Sequence, residues 1–391
     1  MAATAAARRP RDRKEQIVGA AADLFARHGF GAVSIDEIGA AVGVTGPAIY
    51  RHFRSKDALL AAVLARSVDV VGSATDSAFA ERDGSLDAVL QATIGAVLAH
   101  PELMAAYVRE RPSLTPDAAA ALEPLERASS RRWADAIRRD RPDLGRARIA
   151  VRQGAVVGAV SAAALARRDL TDAALAALLA DSTLAVLLAE PRPPDEVAAP
   201  GWSVRETRRQ TILRVALGLF ETRGYGGVGI DEIGEAAGTS GPAIYRQYAS
   251  KAAILVDAFE EAGQRVAVAV DDALREASSA ADGLDRLSRS YAAVALDNTA
   301  LITVTEREAL SLPEREQPRI ERRARAIRDG WAAAVGELRP DLAEAEVRTL
   351  VRTVFSLINA AARAAHGQRS EAEEVAGIAR AWVLGSEVND R

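Results

Sequence analysis

An internal repeat is the feature that most constrains the fold of this chain. Residues 45–60 read TGPAIYRHFRSKDALL and residues 240–255 read SGPAIYRQYASKAAIL, 195 positions apart in a chain of 391 residues. At this offset, Leu24–Leu60 and Leu219–Leu255 are identical at 22 of 37 positions. Self-similarity of this extent indicates that one structural unit is present twice.

The similarity continues well beyond this stretch. The segment YVRER at 107–111 aligns with TVTER at 303–307, and RRWADAIRRDRPDL at 131–144 aligns with DGWAAAVGELRPDL at 329–342, where the offset has become 198. The repeated unit is therefore close to half of the chain and not a single motif. Between the copies, EPRPPDEVAAPGW at 190–202 contains four prolines, which predicts an exposed linker.

Composition limits the fold classes and the kinds of site that this chain can form. Hydrophobic residues make up 49% of the chain and aromatic residues 4%, which favours helices packed through Ala, Leu, Val and Ile. The chain has no cysteine and four scattered histidines, so we expect no disulfide, no metal and no cofactor. No secretory signal and no uncharged apolar run of about 18 residues are evident, so we expect a soluble, cytoplasmic protein without a membrane partner.

The periodicity of each copy is helical. Ile17, Leu24 and their apolar neighbours follow the 3.6-residue period of one helix face, and Gly29 is placed to end that helix. Ser34 followed by Glu37 predicts a capping box at the start of a short second helix. We find no convincing strand pattern, so the predicted fold class is all-α.

Two short helices joined by a glycine turn behind a first helix are typical of a helix-turn-helix domain. The run AADLFARHGFGAVSIDEIGAAVGVTGPAIYRHFRSKDALL at 21–60 resembles the DNA-binding domain of TetR-family transcriptional regulators, and LGLFETRGYGGVGIDEIGEAAGTSGPAIYRQYASKAAIL at 217–255 repeats it. The resemblance rests on Phe25 and Gly29 at the end of the first helix and on the IYRHF run with the SK and LL pairs that follow. It implies, in each repeat, a second helical half that binds an effector and forms a dimer interface.

The chain thus resembles a covalently joined dimer, a single-chain pseudo-dimer, whose further homodimerisation stays open. The predicted architecture is two tandem TetR-like units. Its domains are a helix-turn-helix domain at 1–66, a helical effector and dimerisation domain at 67–189, a linker at 190–202, a second helix-turn-helix domain at 203–263 and a second helical domain at 264–391.

The resemblance also implies which residues contact double-stranded DNA. Pro47 and Ala48 are expected to touch a thymine methyl group, Tyr50 and His52 to reach the backbone or base edges, and Lys56 to bind a phosphate. Packing is the alternative role for Tyr50. The full predicted set is Thr45, Gly46, Pro47, Ala48, Tyr50, Arg51, His52 and Lys56 in the first copy, and Ser240, Gly241, Pro242, Ala243, Tyr245, Arg246, Gln247 and Lys251 in the second.

Charge and the differences between the copies refine this prediction. The net charge is −4, but residues 8–66 carry ten Lys or Arg against six Asp or Glu, and the basic arm RRPRDRK at 8–14 could enter a minor groove. Both copies contain GPAIYR, whereas His52 and Arg54 are replaced by Gln247 and Ala249. We therefore predict two similar half-sites, with the first copy supplying more of the affinity.

The effector side is carried by resemblance alone. YVRER, TVTER and the tryptophans that follow resemble TetR-type regulators that respond to fatty acyl-coenzyme A or other lipids, so a small apolar effector is expected. The candidate ligand-binding residues are Tyr107, Arg109, Arg111, Trp133, Glu306, Arg307 and Trp331. Core packing is the alternative for Trp133 and Trp331, an exposed ion pair is the alternative for the arginines, and a diverged copy could have lost its pocket.

The predicted function is a ligand-responsive, sequence-specific transcriptional regulator that reads a near-palindromic operator with two heads. The resemblance implies a repressor, which is the usual role in this family. It would lie in the bacterial cytoplasm, at the nucleoid through DNA binding. The alternatives are a regulator with one working head and a helical-repeat interaction scaffold. An enzyme is disfavoured because the sequence has no phosphate loop and no G-x-S-x-G motif.

Overall fold

The computed structural model describes residues 10–81, 84–165, 170–190 and 206–386. Within these ranges all regular secondary structure is helical and no strand is present, which confirms the predicted all-α class. Residues 1–9, which include Arg8 and Arg9 of the basic arm, and residues 191–205, which include most of the predicted linker, lie outside the described residues. Residues 10–14 of the arm belong to the first helix.

The described residues form nine α-helices in each repeat, in the same order. Those of repeat 1 are α1 (Pro10–His28), α2 (Ile35–Ala41), α3 (Gly46–Ile49), α4 (Lys56–Glu81), α5 (Leu86–Ala99), α6 (Pro101–Glu110), α7 (Pro116–Asp140), α8 (Arg146–Leu165) and α9 (Asp172–Leu188). Those of repeat 2 are α10 (Arg208–Arg223), α11 (Ile230–Ala236), α12 (Gly241–Tyr245), α13 (Lys251–Arg275), α14 (Ala280–Asp297), α15 (Thr299–Arg307), α16 (Gln317–Leu338), α17 (Glu344–Ala364) and α18 (Ala372–Leu384).

The first three helices of each repeat, with the start of the fourth, form a small unit that we call a head. Head 1 contains α1–α3 and head 2 contains α10–α12, and the remaining helices of each repeat form its body. The predicted domain boundaries after residues 66 and 263 fall inside α4 and α13. A continuous helix therefore joins each head to its body.

Local sequence explains the compact turns of the heads. The Glu37 backbone N–H donates to Ser34 Oγ at 3.2 Å, and the Ser34 backbone N–H donates to Glu37 Oε2 at 2.6 Å, so the predicted capping box is present. Gly29 follows α1 with φ of +83°, a left-handed conformation that favours glycine. In head 2 the side chain of Glu232 accepts the Gly229 N–H at 2.7 Å, so half of the cap survives the loss of the serine.

The two bodies meet through their last two helices. Helix α8 packs along α17, and α9 packs against α18. The backbones come very close, because a Cβ placed on Gly158 of α8 would lie 2.5 Å from Ala360 Cβ. Inside this contact, Arg152 Nε donates to Glu374 Oε1 at 2.7 Å, and neither side chain reaches solvent to any extent.

The core is divided unevenly between the repeats. One continuous cluster of buried apolar residues runs from head 1 through both bodies. Head 2 has its own cluster, to which the body contributes residues of α13, of α15 and of the turn after α15, such as Ala262, Ile302 and Leu312. Head 2 is therefore attached to the molecule through a narrower contact than head 1.

Two helices are long and apolar enough to cross a membrane, judged by length and composition alone: α4 over Lys56–Ala80 and α8 over Arg146–Leu165. The bent pair of α5 and α6 would be a third candidate if it were counted as one span. No membrane-spanning segment was expected from the sequence alone. In the structure, α4 packs against α5, α6 and α7, and α8 packs along α17. Of the two apolar windows, 39% of that in α4 and 56% of that in α8 are buried inside the protein.

Candidate nucleic-acid interface and ligand cavity

Each head presents one short helix to solvent. Tyr50, at the end of α3, is 53% exposed, and Tyr245, at the end of α12, is 57% exposed. Directly beside them, Ile49 and Ile244 are fully buried and fix the helices to the head core. Large exposed aromatic side chains on an anchored helix form a surface suited to contact with another molecule.

Most of the predicted DNA-contacting residues lie on this surface. The hydroxyls of Thr45 and Ser240 make no capping bond to their helices, which leaves them available to an external partner. The exposed members of the predicted set are Thr45, Pro47, Tyr50 and Arg51 in head 1, and Ser240, Pro242, Tyr245, Arg246 and Gln247 in head 2. The partly buried members are Ala48, His52, Lys56, Ala243 and Lys251. Gly241 is the first residue of α12.

Gly46 differs from its prediction as a DNA-contacting residue. It is buried, and a Cβ at this position would lie 2.0 Å from Asp36 Oδ1. Its role in the structure is to allow α3 to approach α2 closely, so it positions the exposed residues of α3 and does not reach a partner itself.

The two matching lysines also have an internal role that the sequence did not reveal. Lys251 Nζ donates to the backbone carbonyls of Tyr225 and Val228, each at 2.8 Å, and lies 4.2 Å from the centroid of the Tyr225 ring. Lys56 Nζ lies 4.3 Å from the centroid of the Phe30 ring. Burial lowers the pKa of both lysines. Each lysine fixes the loop after the first helix, and for Lys251 only one N–H remains for a phosphate.

Head 2 uses one of its cations internally. The Arg209 guanidinium lies 4.2 Å from the centroid of the Tyr248 ring and pairs with Asp257 at 3.1 Å, while Tyr248 Oη donates to Asp257 at 2.5 Å. Burial and the bond to Asp257 raise the pKa of Tyr248. Head 1 has Phe53 where head 2 has Tyr248, so this network is specific to head 2.

A carboxylate at the end of the sixth helix of each repeat joins body to head. In repeat 1, the Phe30 backbone N–H donates to Glu110 Oε1 at 3.0 Å, and Ser113 Oγ donates to Glu110 Oε2 at 3.0 Å. We call this arrangement latch 1. Latch 2 has the same bonds, from the Tyr225 N–H to Glu308 Oε1 at 3.0 Å and from Ser311 Oγ to Glu308 Oε2 at 2.8 Å. Burial raises the pKa of Glu110, against the effect of the bond from Phe30.

The latches correct the alignment of the second motif. Glu110 is equivalent to Glu308, which is an offset of 198 and not the offset of 196 that YVRER and TVTER suggested. Consequently Arg109 corresponds to Arg307, Tyr107 to Thr305 and Val108 to Glu306. The same offset relates Trp133 to Trp331, so the register is fixed on both sides of the intervening segment.

Arg109 and Arg307 lie at the contact between head and body. A Cβ on Gly29 would lie 2.6 Å from Arg109 Nη2, and Arg109 Nε lies 3.3 Å from Glu110 Oε1. Arg307 Nη1 donates to the Glu221 carbonyl at 3.4 Å. The predicted ligand contact is therefore corrected for both arginines, because each guanidinium is directed at its head.

Both tryptophans are core residues. Trp133 is 3% exposed and Trp331 is fully buried. The Trp331 ring packs on Phe355 with centroids 5.3 Å apart, behind the wall of the cavity described below. Their prediction as ligand contacts is corrected in favour of the packing alternative.

Repeat 2 contains a cavity of about 730 Å³ between α13, α14, α15, α16 and α17. Phe259, Val266, Ile302, Ile327 and Phe355 supply apolar wall, and the predicted residue Glu306 also lines it. The volume is in the range of small-molecule sites, which are mostly apolar with a few polar groups. Helix α15 thus forms part of the wall and also ends at latch 2.

Tyr107 and Arg111 of repeat 1 bond to one carboxylate. Tyr107 Oη donates to Glu126 Oε1 at 2.6 Å, and Arg111 donates to both oxygens of Glu126 at 3.2 and 3.1 Å. We call these three residues the triad. Burial, then the bond to Glu126, raises the pKa of Tyr107. Although burial opposes the change, the bonds from Arg111 and Tyr107 lower the pKa of Glu126.

Two small helix-turn-helix heads on helical bodies define a class of DNA-binding regulatory protein. The sequence model of "Bacterial regulatory proteins, tetR family" matches residues 17–63 and 212–258, one match in each head. Each head therefore matches the DNA-binding domain of this family. The expectation of a DNA-binding regulator agrees with this match in both heads.

Two curated relatives match over short segments. The HTH-type transcriptional activator FasR of Mycolicibacterium smegmatis is 46% identical over 63 residues, which are 16% of this chain and 29% of FasR. The uncharacterized HTH-type transcriptional regulator YerO of Bacillus subtilis is 45% identical over 49 residues, which are 12% of this chain and 17% of YerO. The chain thus spans less than a third of either relative.

Solved structures of the family match over one repeat-sized segment. The ketosteroid transcriptional regulator KstR2 of Mycobacterium tuberculosis is 20% identical, with a TM-score of 0.39 and coverage of 46% of this chain and 95% of KstR2. A TetR-family transcriptional regulator from Bordetella parapertussis is 21% identical, with a TM-score of 0.38. The match covers 40% of this chain and 82% of the Bordetella chain.

Proposed function

We propose that the chain is a ligand-responsive transcriptional repressor of the bacterial cytoplasm, which binds the two half-sites of a near-palindromic operator with the two heads of one chain. The observation that carries this proposal is the pair of exposed tyrosines, Tyr50 and Tyr245, on the same short helix of two heads. A two-fold related site requires two such helices at a fixed separation. The contact of α8 and α9 with α17 and α18 joins the two bodies within one chain, as a dimer interface would, and supports this proposal.

The response to ligand follows from the position of α15. This helix lines the cavity through Ile302, Thr305 and Glu306, and two residues further on Glu308 bonds to the head 2 backbone. A ligand that binds the cavity more tightly in one position of α15 than in another stabilises that position. The equilibrium between the two positions of head 2 then shifts by the difference between the two binding free energies. We propose a small apolar effector, with fatty acyl-coenzyme A or another lipid among the candidates, that favours the separation unable to bind DNA.

The direction of regulation is proposed as repression. FasR is named an activator, but its match covers little more than one head, so that name does not decide the direction for this chain. A reporter gene placed behind the selected operator tests it, since repression predicts higher expression when the protein is absent.

Selection of bound DNA from a random pool tests the proposal. We expect enrichment of two similar half-sites about one helical turn apart, bound by a single chain in native mass spectrometry. Affinity should fall steeply with salt, since phosphate contacts release counterions. A folded protein that enriches no sequence would contradict the proposal and favour the helical scaffold.

Matched variants of the two heads test whether one head or both heads bind DNA. Tyr50→Ala and Tyr245→Ala remove exposed side chains, so the free energy of unfolding should stay within about 0.5 kcal/mol of the parent. Each should weaken operator binding, Tyr50→Ala more strongly, because head 2 lacks Arg54 and uses Arg209 internally. Full affinity in Tyr245→Ala would indicate that head 1 alone reads DNA.

A further inference from the structure

Three carboxylates in the lining of the cavity of repeat 2 are each paired with an arginine. Glu260 bonds to Arg323 at 2.9 Å, and Glu321 bonds to Arg328 at 2.7 Å. Glu306, the third carboxylate of the lining, bonds to Arg363 at 2.7 Å. An anionic ligand would have to displace a carboxylate from its arginine and leave that carboxylate without its partner. The cavity therefore suits a ligand without net charge.

One polar side chain in the cavity wall, Asn359, has its amide oxygen bonded within the protein and its amide nitrogen left as a donor. Tyr291 Oη donates to Asn359 Oδ1 at 2.8 Å, and both residues are buried. The Asn359 amide nitrogen has no hydrogen-bond partner among the described residues, although Asn359 lines the cavity. A buried N–H group is stabilised when an acceptor reaches it, so a ligand with a carbonyl or hydroxyl oxygen gains a bond here.

The equivalent place in repeat 1 is occupied by side chains. At the offset of 198, Thr305, Ala309 and Ala324 of the cavity wall correspond to the triad of Tyr107, Arg111 and Glu126. Two small alanines and a threonine are thus replaced by a tyrosine, an arginine and a glutamate that bond to one another. The triad fills with protein the part of repeat 1 where repeat 2 has space.

We propose that repeat 2 alone provides the effector site, that the triad closes the corresponding site of repeat 1, and that the effector is a neutral apolar molecule whose single oxygen accepts a hydrogen bond from Asn359. This inference rests on the proposed ligand response and adds its stoichiometry, its ligand class and its specificity residue. One molecule per chain would then act on the position of head 2, through latch 2.

Prodan is a suitable probe, because it is a neutral naphthalene ketone whose emission shifts to the red when its carbonyl accepts a hydrogen bond. We expect saturation at one prodan per chain. Asn359→Leu should weaken prodan binding about tenfold and shift the emission of the bound dye to the blue, as one hydrogen bond to the ketone is lost. Saturation at two per chain, or unchanged emission and affinity in Asn359→Leu, would overturn the proposal.

Exchanging the triad between the repeats tests the asymmetry in both directions. Thr305→Tyr with Ala309→Arg and Ala324→Glu should abolish prodan binding, since these substitutions place the triad in the cavity. The reverse change, Tyr107→Thr with Arg111→Ala and Glu126→Ala, should raise the stoichiometry to two. Prodan that still binds with parental affinity to the first variant, folded by circular dichroism, would show that the cavity is not the site.

Ligand class is tested by competition between two molecules of similar length. We expect 2-undecanone to displace prodan at least tenfold more effectively than decanoate, because only the carboxylate disturbs the arginine pairs. Equal displacement would overturn the neutral-ligand assignment. Operator binding by each variant is measured separately without ligand, so a protein that binds prodan as described but selects no DNA would refute the proposed function and leave the site intact.

Discussion

At the scale of single residues, Arg152 shows how strongly the two repeats depend on each other. Its side chain is fully buried in the contact between the bodies, where it bonds to Glu374 at 2.7 Å and to the Leu187 carbonyl at 3.0 Å. Its second terminal nitrogen has no acceptor among the described residues. A buried charge of this kind depends on its counter-ion, because a low-dielectric surrounding penalises an unpaired ion.

We predict that Glu374→Gln destabilises the protein by about 3–5 kcal/mol, the usual cost of removing one partner from a buried ion pair. Urea unfolding followed by circular dichroism measures this change. Glu123→Gln is the matched control, because Glu123 pairs with Arg127 at 2.7 Å on the surface, where both side chains are about half exposed. The control should change the stability by less than about 1 kcal/mol. Similar losses in both variants would contradict the interpretation.

Residues that act within a few positions could be predicted from the sequence, and residues that act across the fold could not. The capping box of Ser34 and Glu37 and the left-handed Gly29 follow from local spacing. The buried role of Gly46 depends on Asp36 in another helix, and the internal bonds of Lys251 depend on Tyr225 and the loop that carries it. Sequence spacing contains no information about such approaches.

At the scale of helices, the contact between α6 and α7 in repeat 1 depends on the triad. The carboxylate of Glu126 in α7 accepts bonds from Tyr107 in α6 and from Arg111 just after it. Repeat 2 has no equivalent bonds, since threonine and alanines occupy these positions. The corresponding helices α15 and α16 there are separated by the cavity, to which both contribute wall residues.

We predict that Glu126→Gln destabilises the protein at neutral pH and that this difference shrinks in acid. The pKa of Glu126 is lower in the folded protein than its ordinary value of about 4.3, so its ionised form stabilises the fold above that value. This stabilisation is lost as the pH falls through the folded pKa. Unfolding free energies of parent and variant, compared between about pH 7 and pH 3.5, measure the effect, and a difference that grows in acid would contradict it.

The order of the helices could be predicted from the sequence, but the register of the second motif could not. TVTER resembles YVRER in its letters, yet Glu308 and not Glu306 makes the bond equivalent to that of Glu110. A diverged segment with only a few identical residues can be aligned in more than one register. The bond to the head backbone distinguishes them, because only one register places a carboxylate beside that N–H group.

At the scale of the whole molecule, the two repeats have become unequal. Head 1 shares a continuous core with both bodies, whereas head 2 has a separate core. The latches lie near each other, since a Cβ on Gly224 of head 2 would be 3.5 Å from Ser113 Oγ of latch 1 and 4.0 Å from Glu308 Oε1 of latch 2. Head 2 is thus the more weakly held head and lies beside both latches, on the repeat that has the cavity.

We predict that Glu308→Ala loosens head 2 and leaves head 1 unchanged, because it removes the acceptor of the Tyr225 N–H and of Ser311. Amide hydrogen exchange should accelerate in α10–α12 and stay at its parental rate in α1–α3. Glu308→Gln is the control, since its amide oxygen can still accept the Tyr225 N–H. Operator affinity should fall with Glu308→Ala, because a loosely held head must be ordered when it binds. Equal acceleration of exchange in both heads would contradict the prediction and indicate that the two latches act as one unit. Unchanged exchange in α10–α12 would show that latch 2 does not transmit a change in the cavity to head 2.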